Sequence, residues 1–185
     1  MKNKASIRKD LLNKRHSLKE DYCLLYEESI FDNFKKVFLE KNPEKIGLYW
    51  SSNNEVRTNK ISDFINITKK DQYLPVVGFN NSLTFKKFKK NSPLIENKYG
   101  IKEPLQGEET NGNKLDLVLI PLVGFDRSLN RLGMGGGYYD RTFKDNKRPF
   151  LIGLAYQFQE IKDLAPEEHD IPLDIIITAD NIFKK

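Results

Sequence analysis

The apolar run at residues 115–123 constrains the fold of this chain more than any other feature. A strand has a nearly continuous apolar sequence when helices cover both faces of its sheet, as they do in parallel α/β sheets. The run is also far shorter than the ~20 apolar residues that a membrane-spanning helix needs. It therefore predicts a central, buried strand in a layered α/β fold.

The rest of the 185-residue chain alternates between helical and extended patterns. Apolar residues at helical spacing predict two helices in the first forty residues, ending at Asn42-Pro43, and a third around Ile61 to Ile65. Short apolar runs predict the other strands, at residues 46–50, 73–77, 83–88, 150–155 and 175–178. The alternation predicts a three-layer α/β/α fold with a mostly parallel, Rossmann-like sheet, in one domain over residues 1–185.

Residues 89–113 break this pattern because they are mostly polar. A polar stretch of this kind, with glycine and asparagine, is typical of surface connections. We expect the segment to be an excursion over the surface.

The charge balance favours an anionic partner only weakly. There are 31 Lys and Arg against 26 Asp and Glu, a formal net charge of +5. The best nucleic-acid-like patch is the lysine run 86–90, interleaved with Phe85 and Phe88, but it lacks arginine for phosphate or base contacts. We expect it to be a solvated face, with no nucleic-acid partner.

The N-terminal sequence and the cysteine content indicate in which compartment the protein is expected. No apolar signal-peptide core follows Met1, and the single cysteine, Cys23, excludes an internal disulfide. We expect a cytoplasmic monomer with no membrane partner.

The strongest site candidate is the glycine cluster at residues 133–137, which follows the central strand. Ligands of parallel α/β sheets bind beyond the carboxyl ends of the strands. Four glycines in five positions expose main-chain N–H groups, and a helix predicted from about Tyr138 completes an anion cradle. Arg131 and Arg141 flank the cluster and suit phosphate, and Asp140 suits a Mg²⁺ ion that carries phosphate oxygens.

The spacing of the glycines excludes two common phosphate-binding motifs. No Lys-Ser or Lys-Thr follows a glycine as in a P-loop, and the cluster does not fit the dinucleotide pattern G-x-G-x-x-G. A tight turn that serves only chain geometry is the remaining alternative.

Polar residues elsewhere are weaker candidates. Lys4 and Arg8 share a face of the first helix, and Arg15 lies further along the same stripe, at the edge of the buried face. Glu55 follows a predicted strand, and Asp174 precedes one and would complete a metal site if the fold brings it to Asp140.

The pair His169-Asp170 has the composition of a catalytic pair. No Ser or Cys in a nucleophile turn accompanies it, and a histidine beside an aspartate is more often structural. We expect a structural role for both residues.

The run LDLVLIPLVGFDRSLNRLGMGGGYYDR, residues 115–141, resembles the signature of the 5-formyltetrahydrofolate cyclo-ligase family. The other segments follow the order of that family: Lys4-x-x-x-Arg8, Glu55-Val56, YLPV at 73–76, YGIKEP at 99–104, His169-Asp170 and Leu173-Asp174. One departure is Leu129, which stands where relatives usually have a glycine.

The resemblance implies an enzyme that uses ATP and Mg²⁺ to convert 5-formyltetrahydrofolate into 5,10-methenyltetrahydrofolate, with release of ADP and phosphate. Lys4, Arg8 and Arg131 would neutralise the charge of phosphoryl transfer, and Asp140 and Asp174 would hold Mg²⁺. The implied ATP-binding residues are Lys4, Ala5, Ser6, Ile7, Arg8, Arg131, Leu132, Gly133, Met134, Gly135, Gly136, Gly137, Tyr138 and Tyr139. The implied folate-binding residues are Arg8, Trp50, Glu55, Met134, Gly135, Gly136, Gly137 and Tyr138.

Two other hypotheses stay open from the sequence. A sugar-phosphate isomerase or CoA-transferase-like enzyme would share the layered fold, but it needs an acid–base set that the sequence does not place. An RNA-binding module would depend only on the net charge and the lysine run.

Overall fold

The structure is a computed structural model that describes residues 3–145 and 147–185. The helices are α1 (Lys4–His16), α2 (Glu20–Lys41), α3 (Asn59–Ile67) and α4 (Tyr138–Thr142). The strands are β1 (Lys45–Gly47), β2 (Asp71–Val77), β3 (Leu83–Lys87), β4 (Leu94–Glu96), β5 (Lys102–Pro104), β6 (Glu109–Asn111), β7 (Leu117–Ile120), β8 (Gly124–Phe125), β9 (Arg131–Leu132), β10 (Phe150–Leu154), β11 (Ile175–Ile177) and β12 (Ile182–Lys184).

The central sheet has eight strands in the order β12-β11-β10-β7-β1-β2-β3-β6. The five inner strands, from β11 to β2, run parallel, while β12, β3 and β6 are antiparallel to their neighbours at the two edges. All four residues of β7 are buried. The predicted mostly parallel sheet and its buried central strand are confirmed.

Apolar helix faces cover one side of this sheet. Ile30 and Phe34 of α2 are fully buried and pack with Ile65 of α3 in a large core cluster. Because these residues recur at three- and four-residue spacing, one stripe of each helix meets the sheet.

The opposite face carries a second cluster, to which Phe85, Phe125 and Phe143 contribute. α4 and extended connections cover it. The predicted arrangement of a sheet flanked by helices is therefore confirmed, although α4 has only five residues.

Residues 89–113 lie mostly at the surface, as predicted, but they also form strands that no sequence pattern indicated. The segment contains the hairpin β4–β5 and the edge strand β6, which pairs with β3 through Thr84 and Asn111. Glu109 and Asn111 of β6 are exposed, so this strand has no apolar pattern by which a sequence could reveal it.

The order of the inner strands creates a switch point between β1 and β7. The chain passes from β1 to β2 on one side and later from β7 to β10 on the other. Connections leave adjacent parallel strands in opposite directions at such a point, which opens a crevice beyond their carboxyl ends. The residues that follow β1 and β7 line this crevice.

A short hairpin, β8–β9, joins β7 to the glycine cluster, and its turn holds Leu129 in the left-handed conformation with φ of 67°. Buried Asp126 shapes the turn by accepting hydrogen bonds from the main-chain N–H groups of Ser128 and Asn130. The Leu129 side chain is only 1% exposed. Its burial offsets the ~1–2 kcal/mol that this conformation costs a residue with a Cβ.

We expect Leu129→Ala to destabilise the protein more than Leu129→Gly. Both variants lose the buried side chain, at ~2–5 kcal/mol, but only glycine also removes the backbone cost. Denaturant unfolding should therefore give the glycine variant about 1 kcal/mol more stability. Leu39, on the surface of α2, provides the control pair, since alanine should be the more stable there. An alanine variant at position 129 as stable as the glycine variant would contradict this account.

Candidate active site

The first turn of α1 lies at one end of the candidate site. Asn3 caps the helix by accepting a hydrogen bond from the Ser6 N–H at 2.8 Å. Ala5 and Ser6 are exposed and Ile7 is half-buried. Lys4 Nζ bonds Asp170 at 2.8 Å and Glu167 at 3.0 Å.

Both acids form ion pairs with the Lys4 ammonium group. The hydrogen bond that Lys4 donates to Asp170 is the largest cause that raises the pKa of Lys4, although partial burial opposes it. A phosphate bound at this helix would have to compete with Asp170 and Glu167 for Lys4.

Arg8, one turn along α1, contacts the glycine loop, which we define as residues 133–137. Its Nε donates to the carbonyl of Gly133 at 2.8 Å. A Cβ on Gly135 would lie 3.7 Å from Arg8 Nη2, so the guanidinium stands directly beside the loop. The structure thus brings together two segments predicted to share one ligand.

Two glycines of the loop adopt left-handed backbone conformations, Gly135 with φ of 93° and Gly137 with φ of 65°. Gly137 is the N-cap of α4. Arg141 crosses behind the loop, where it donates to the carbonyl of Gly136 and, at 3.0 Å, to that of Asn81. Residues with a Cβ would be strained at the two left-handed positions, so the loop requires glycine there.

Arg131 and Asp140 form a tight ion pair on either side of the loop. Arg131 Nη2 lies 2.5 Å from Asp140 Oδ1, and both side chains are largely buried. The same oxygen accepts the main-chain N–H of Ile171 at 3.2 Å. The Arg131 guanidinium also lies over the ring of Tyr139, with Cζ 5.7 Å from the ring centre. Asp140 is therefore held beside the loop by contacts to two chain segments.

Glu55 stands across the switch point from the glycine loop, after β1. Its Oε2 accepts the Ser52 N–H at 3.0 Å, and its side chain is 13% exposed. Burial raises the pKa of the Glu55 carboxyl, against the opposing effects of the Ser52 N–H and of Arg15. Trp50, in the same connection, is half-buried against the core, and Lys102 Nζ lies 5.4 Å from its ring.

The outer rim of the crevice is aromatic. Met134 of the loop is 62% exposed. The Tyr138 hydroxyl bonds the Tyr99 hydroxyl at 2.6 Å and Asn81 Oδ1 at 3.2 Å. Tyr99 lies in the YGIKEP segment that resembles the family, whereas no sequence pattern indicated Asn81, which reaches the rim from the turn after β2.

Asp174 is the predicted site residue that lies apart from the others. It precedes β11 and hydrogen-bonds the main-chain N–H of Leu151 in β10 at 2.7 Å, at the amino ends of these strands. Its carboxylate also pairs with Arg148 at 2.5 Å. The glycine loop follows the carboxyl end of β7, so the described contacts do not bring Asp174 to Asp140. Their sharing of one ion stays a prediction.

Of the two carboxylates predicted to bind a divalent cation, Asp140 is the one held beside the glycine loop. Within residues 3–145 and 147–185, no group of three or more His, Cys, Asp or Glu side chains could hold a metal on its own. Asp140 is a hard oxygen ligand next to a predicted phosphate cradle, which fits an Mg²⁺ ion that keeps most of its ligands from phosphate and water.

The weaker candidates have structural contacts. Asp170 accepts from Lys4, and exposed His169 lies 3.6 Å from Glu167, so the two do not form a catalytic pair in this structure. Cys23 is buried in the core. In the lysine run, three side chains pair with acids: Lys86 with Glu109, Lys87 with Asp71, and Lys90 with Asp63.

Comparison with known proteins places these features in a family. The model of the 5-formyltetrahydrofolate cyclo-ligase family matches residues 1–179. A 5-formyltetrahydrofolate cyclo-ligase of Haemophilus influenzae is 35% identical over 158 residues, which cover 82% of this chain and 84% of that protein. No helix among the residues with described structure is long and apolar enough to span a membrane.

Two solved structures share the fold. The NMR structure of Aquifex aeolicus 5,10-methenyltetrahydrofolate synthetase has a TM-score of 0.86 and 32% identity, covering 98% of this chain and 92% of that one. A 5,10-methenyltetrahydrofolate synthetase from Mycoplasma pneumoniae has a TM-score of 0.80 and 27% identity, covering 96% and 99%. These matches favour neither the isomerase or transferase alternative nor the RNA-binding one. The chain belongs to the 5-formyltetrahydrofolate cyclo-ligase family.

Proposed function

We propose that this protein converts 5-formyltetrahydrofolate into 5,10-methenyltetrahydrofolate at the expense of ATP. The observation that carries the proposal is the hydrogen bond from Arg8 to Gly133, which joins the basic start of α1 to the glycine loop at the switch point of the sheet. Glu55 lies in the connection after β1, on the other side of the switch point, and its carboxylate influences the pKa of Tyr139, which follows the glycine loop. This arrangement supports separate binding sites for a triphosphate and for a second polar ligand.

The reaction we propose has two steps. The formyl oxygen attacks the γ-phosphorus of ATP, so that an O–P bond forms, the bond to the bridging oxygen breaks and ADP leaves. N10 of the folate then attacks the activated formyl carbon and loses its proton, and phosphate departs with the former formyl oxygen. The product is the cyclic methenyl cation.

The protein contributes positioning and charge rather than a nucleophile. Phosphoryl transfer needs the reacting groups in line and its developing negative charge neutralised. Lys4, Arg8, Arg131 and the N–H groups of the glycine loop would bind the triphosphate. Ala5, Ser6, Ile7, Leu132 and Tyr139 belong to the same proposed ATP site.

The folate would bind on the β1 side of the crevice. Glu55 can accept hydrogen bonds from the donor edge of a pterin ring. Trp50, Arg8, Met134 and Tyr138, with the glycines between the last two, complete the proposed folate site.

Mg²⁺ would be held by Asp140 together with phosphate oxygens, and when bound it would neutralise charge on the transferring phosphoryl group. Arg131, which pairs with Asp140 in this structure, would then be available to bind a phosphate oxygen.

The direct test is to incubate the protein with MgATP and 5-formyltetrahydrofolate and follow the absorbance of the methenyl product. We expect one ADP and one phosphate for each methenyl group formed, and no product when ATP is omitted or replaced by an analogue that cannot transfer its γ-phosphate. No product from the complete mixture, with ATP left intact, would overturn the proposal.

A further inference from the structure

Arg15, in the last turn of α1, is among the most deeply buried side chains of the protein, with 2% exposure. A buried guanidinium is costly unless its N–H groups and its charge are satisfied. Each of the three guanidinium nitrogens of Arg15 has a contact. Nε donates to the carbonyl of Asn53 at 2.9 Å, Nη1 donates to the carbonyl of Leu122 at 3.2 Å, and Nη2 faces Glu55 Oε1 at 3.8 Å.

These contacts join the two connections that border the switch point. Asn53 and Glu55 belong to the connection after β1, and Leu122 to the connection after β7. Asn54 Nδ2 in turn donates to the carbonyl of Arg15 at 3.1 Å. Arg15 therefore fixes the loop that carries Glu55 relative to the connection between β7 and β8, which leads to the glycine loop.

The two carboxylate oxygens of Glu55 have different surroundings. Oε2 accepts the N–H of Ser52 and lies 3.5 Å from its hydroxyl. Among the residues with described structure, none donates a hydrogen bond to Oε1, whose nearest cation is Arg15. Oε1 is thus available to a donor on a ligand.

The other ionisable groups around Glu55 cannot supply its counter-charge. Buried Tyr49 and partly buried Tyr139 lie near it, and the Glu55 carboxylate contributes to the raised pKa values of both phenols. Arg131 lies over Tyr139 and is paired with Asp140. The charge that opposes desolvation of Glu55 comes from Arg15.

We propose that Arg15 is the positioning residue of the folate-side carboxylate: it holds Glu55 at the switch point as an ion, with Oε1 free to accept a hydrogen bond from the substrate. The inference rests on the proposed function, because it assigns Glu55 to the folate. Arg15 itself touches neither substrate and acts through Glu55.

The first test follows Glu55 directly in the protein without ligands. In protein labelled with ¹³C at the glutamate carboxyl groups, the resonance lost in Glu55→Gln identifies Glu55, and its titration is compared between wild type and Arg15→Gln. Loss of the adjacent cation should move the midpoint upward by about one pH unit or more. An unchanged midpoint in a folded Arg15→Gln protein would overturn the inference.

Arg57 provides the matched control. It lies two residues from Glu55 but pairs with Glu20 at 2.6 Å and Glu27 at 3.4 Å, on α2. Arg57→Gln removes the same charge close by in sequence, and we expect the Glu55 midpoint to stay at its wild-type value. An equal shift in both arginine variants would mean that Arg15 has no special role.

The second test uses activity. Because the carboxylate is the form that accepts hydrogen bonds from the pterin, activity should fall as the pH drops through the pKa of Glu55. The acidic limb of kcat/KM should therefore move to higher pH in Arg15→Gln and disappear in Glu55→Gln. In the Glu55→Gln background, Arg15→Gln should cause less than a twofold further change in kcat/KM, whereas two independent roles would give multiplying losses.

If Arg15→Gln does not fold, Arg15→Lys replaces it, since lysine keeps the charge but lacks the planar fork that reaches both carbonyls. We expect about a tenfold higher KM for the folate with little change in kcat, as for a lost binding contact. A wild-type KM would overturn the inference. A wild-type protein without activity would instead overturn the proposed function, and the carboxyl titration would still decide the role of Arg15.

Discussion

Replacing Asp140 by asparagine should lower kcat/KM about 10³-fold and raise the Mg²⁺ concentration needed for half-maximal activity more than tenfold. Asparagine keeps the size of the side chain and an oxygen that can accept the N–H of Ile171. It removes the charge that would hold the metal and that pairs with Arg131. Activity titrated with Mg²⁺ at saturating ATP measures both effects.

Asp174→Asn separates the two accounts of the metal site. If Asp140 and Asp174 share an ion, both variants should raise the Mg²⁺ requirement to a similar degree. If Asp174 serves only its contacts with Arg148 and Leu151, its variant should lose stability and keep the wild-type Mg²⁺ requirement. An Asp140→Asn enzyme with the wild-type Mg²⁺ requirement would remove Asp140 from the metal site.

Replacing Arg8 by glutamine should lower kcat/KM about 10²- to 10³-fold, with a higher KM for ATP. The variant loses the cation beside the transferring phosphoryl group and also the hydrogen bond that joins α1 to Gly133. Steady-state kinetics at varied ATP and fixed folate measures the change.

Arg127→Gln is the control for this loss of charge. Arg127 lies in the turn before β9 with its side chain 78% exposed, and it pairs with Glu160. We expect its kinetics to stay within twofold of wild type. An Arg8→Gln enzyme within threefold of wild type would show that the cation is not needed for phosphoryl transfer.

The parts of the fold that the sequence could predict are those with a strong burial pattern. β7 is buried on both faces, so its apolar run indicated both a central position and parallel neighbours. The connection after β7 was then a site candidate, because ligands of parallel sheets bind beyond the carboxyl ends of the strands. β6 has two exposed residues out of three, and only its pairing with β3 makes it a strand.

In the candidate site, too, the residues with a local sequence pattern were predicted and those without one were not. The glycine loop and Arg8 were predicted because each carries a local signal, either repeated glycine or helical spacing. The nearly complete burial of Arg15 was not predicted, because its position on α1 indicated only the edge of the buried face. The pairing of Lys4 with Glu167 and Asp170 joins positions 163 and 166 residues apart, which no local pattern reveals.

Asp174 shows the limit of an argument from chain order. It follows the glycine loop in sequence at a place that the family resemblance assigns to metal binding. In the sheet it stands at the start of β11, whereas the loop follows the end of β7. Motif order alone does not indicate at which end of its strand such a residue lies.

Helix α1 carries a residue beside each of the two proposed ligand sites. Arg8 and Arg15 are seven residues apart, which is close to two helical turns, so they point to the same side about 10 Å from each other. One holds the loop proposed for ATP, and the other holds the carboxylate proposed for the folate. A single residue inserted between them would rotate one relative to the other by about 100°. If the two proposed sites are correct, the number of residues between Arg8 and Arg15 helps to set the distance between them.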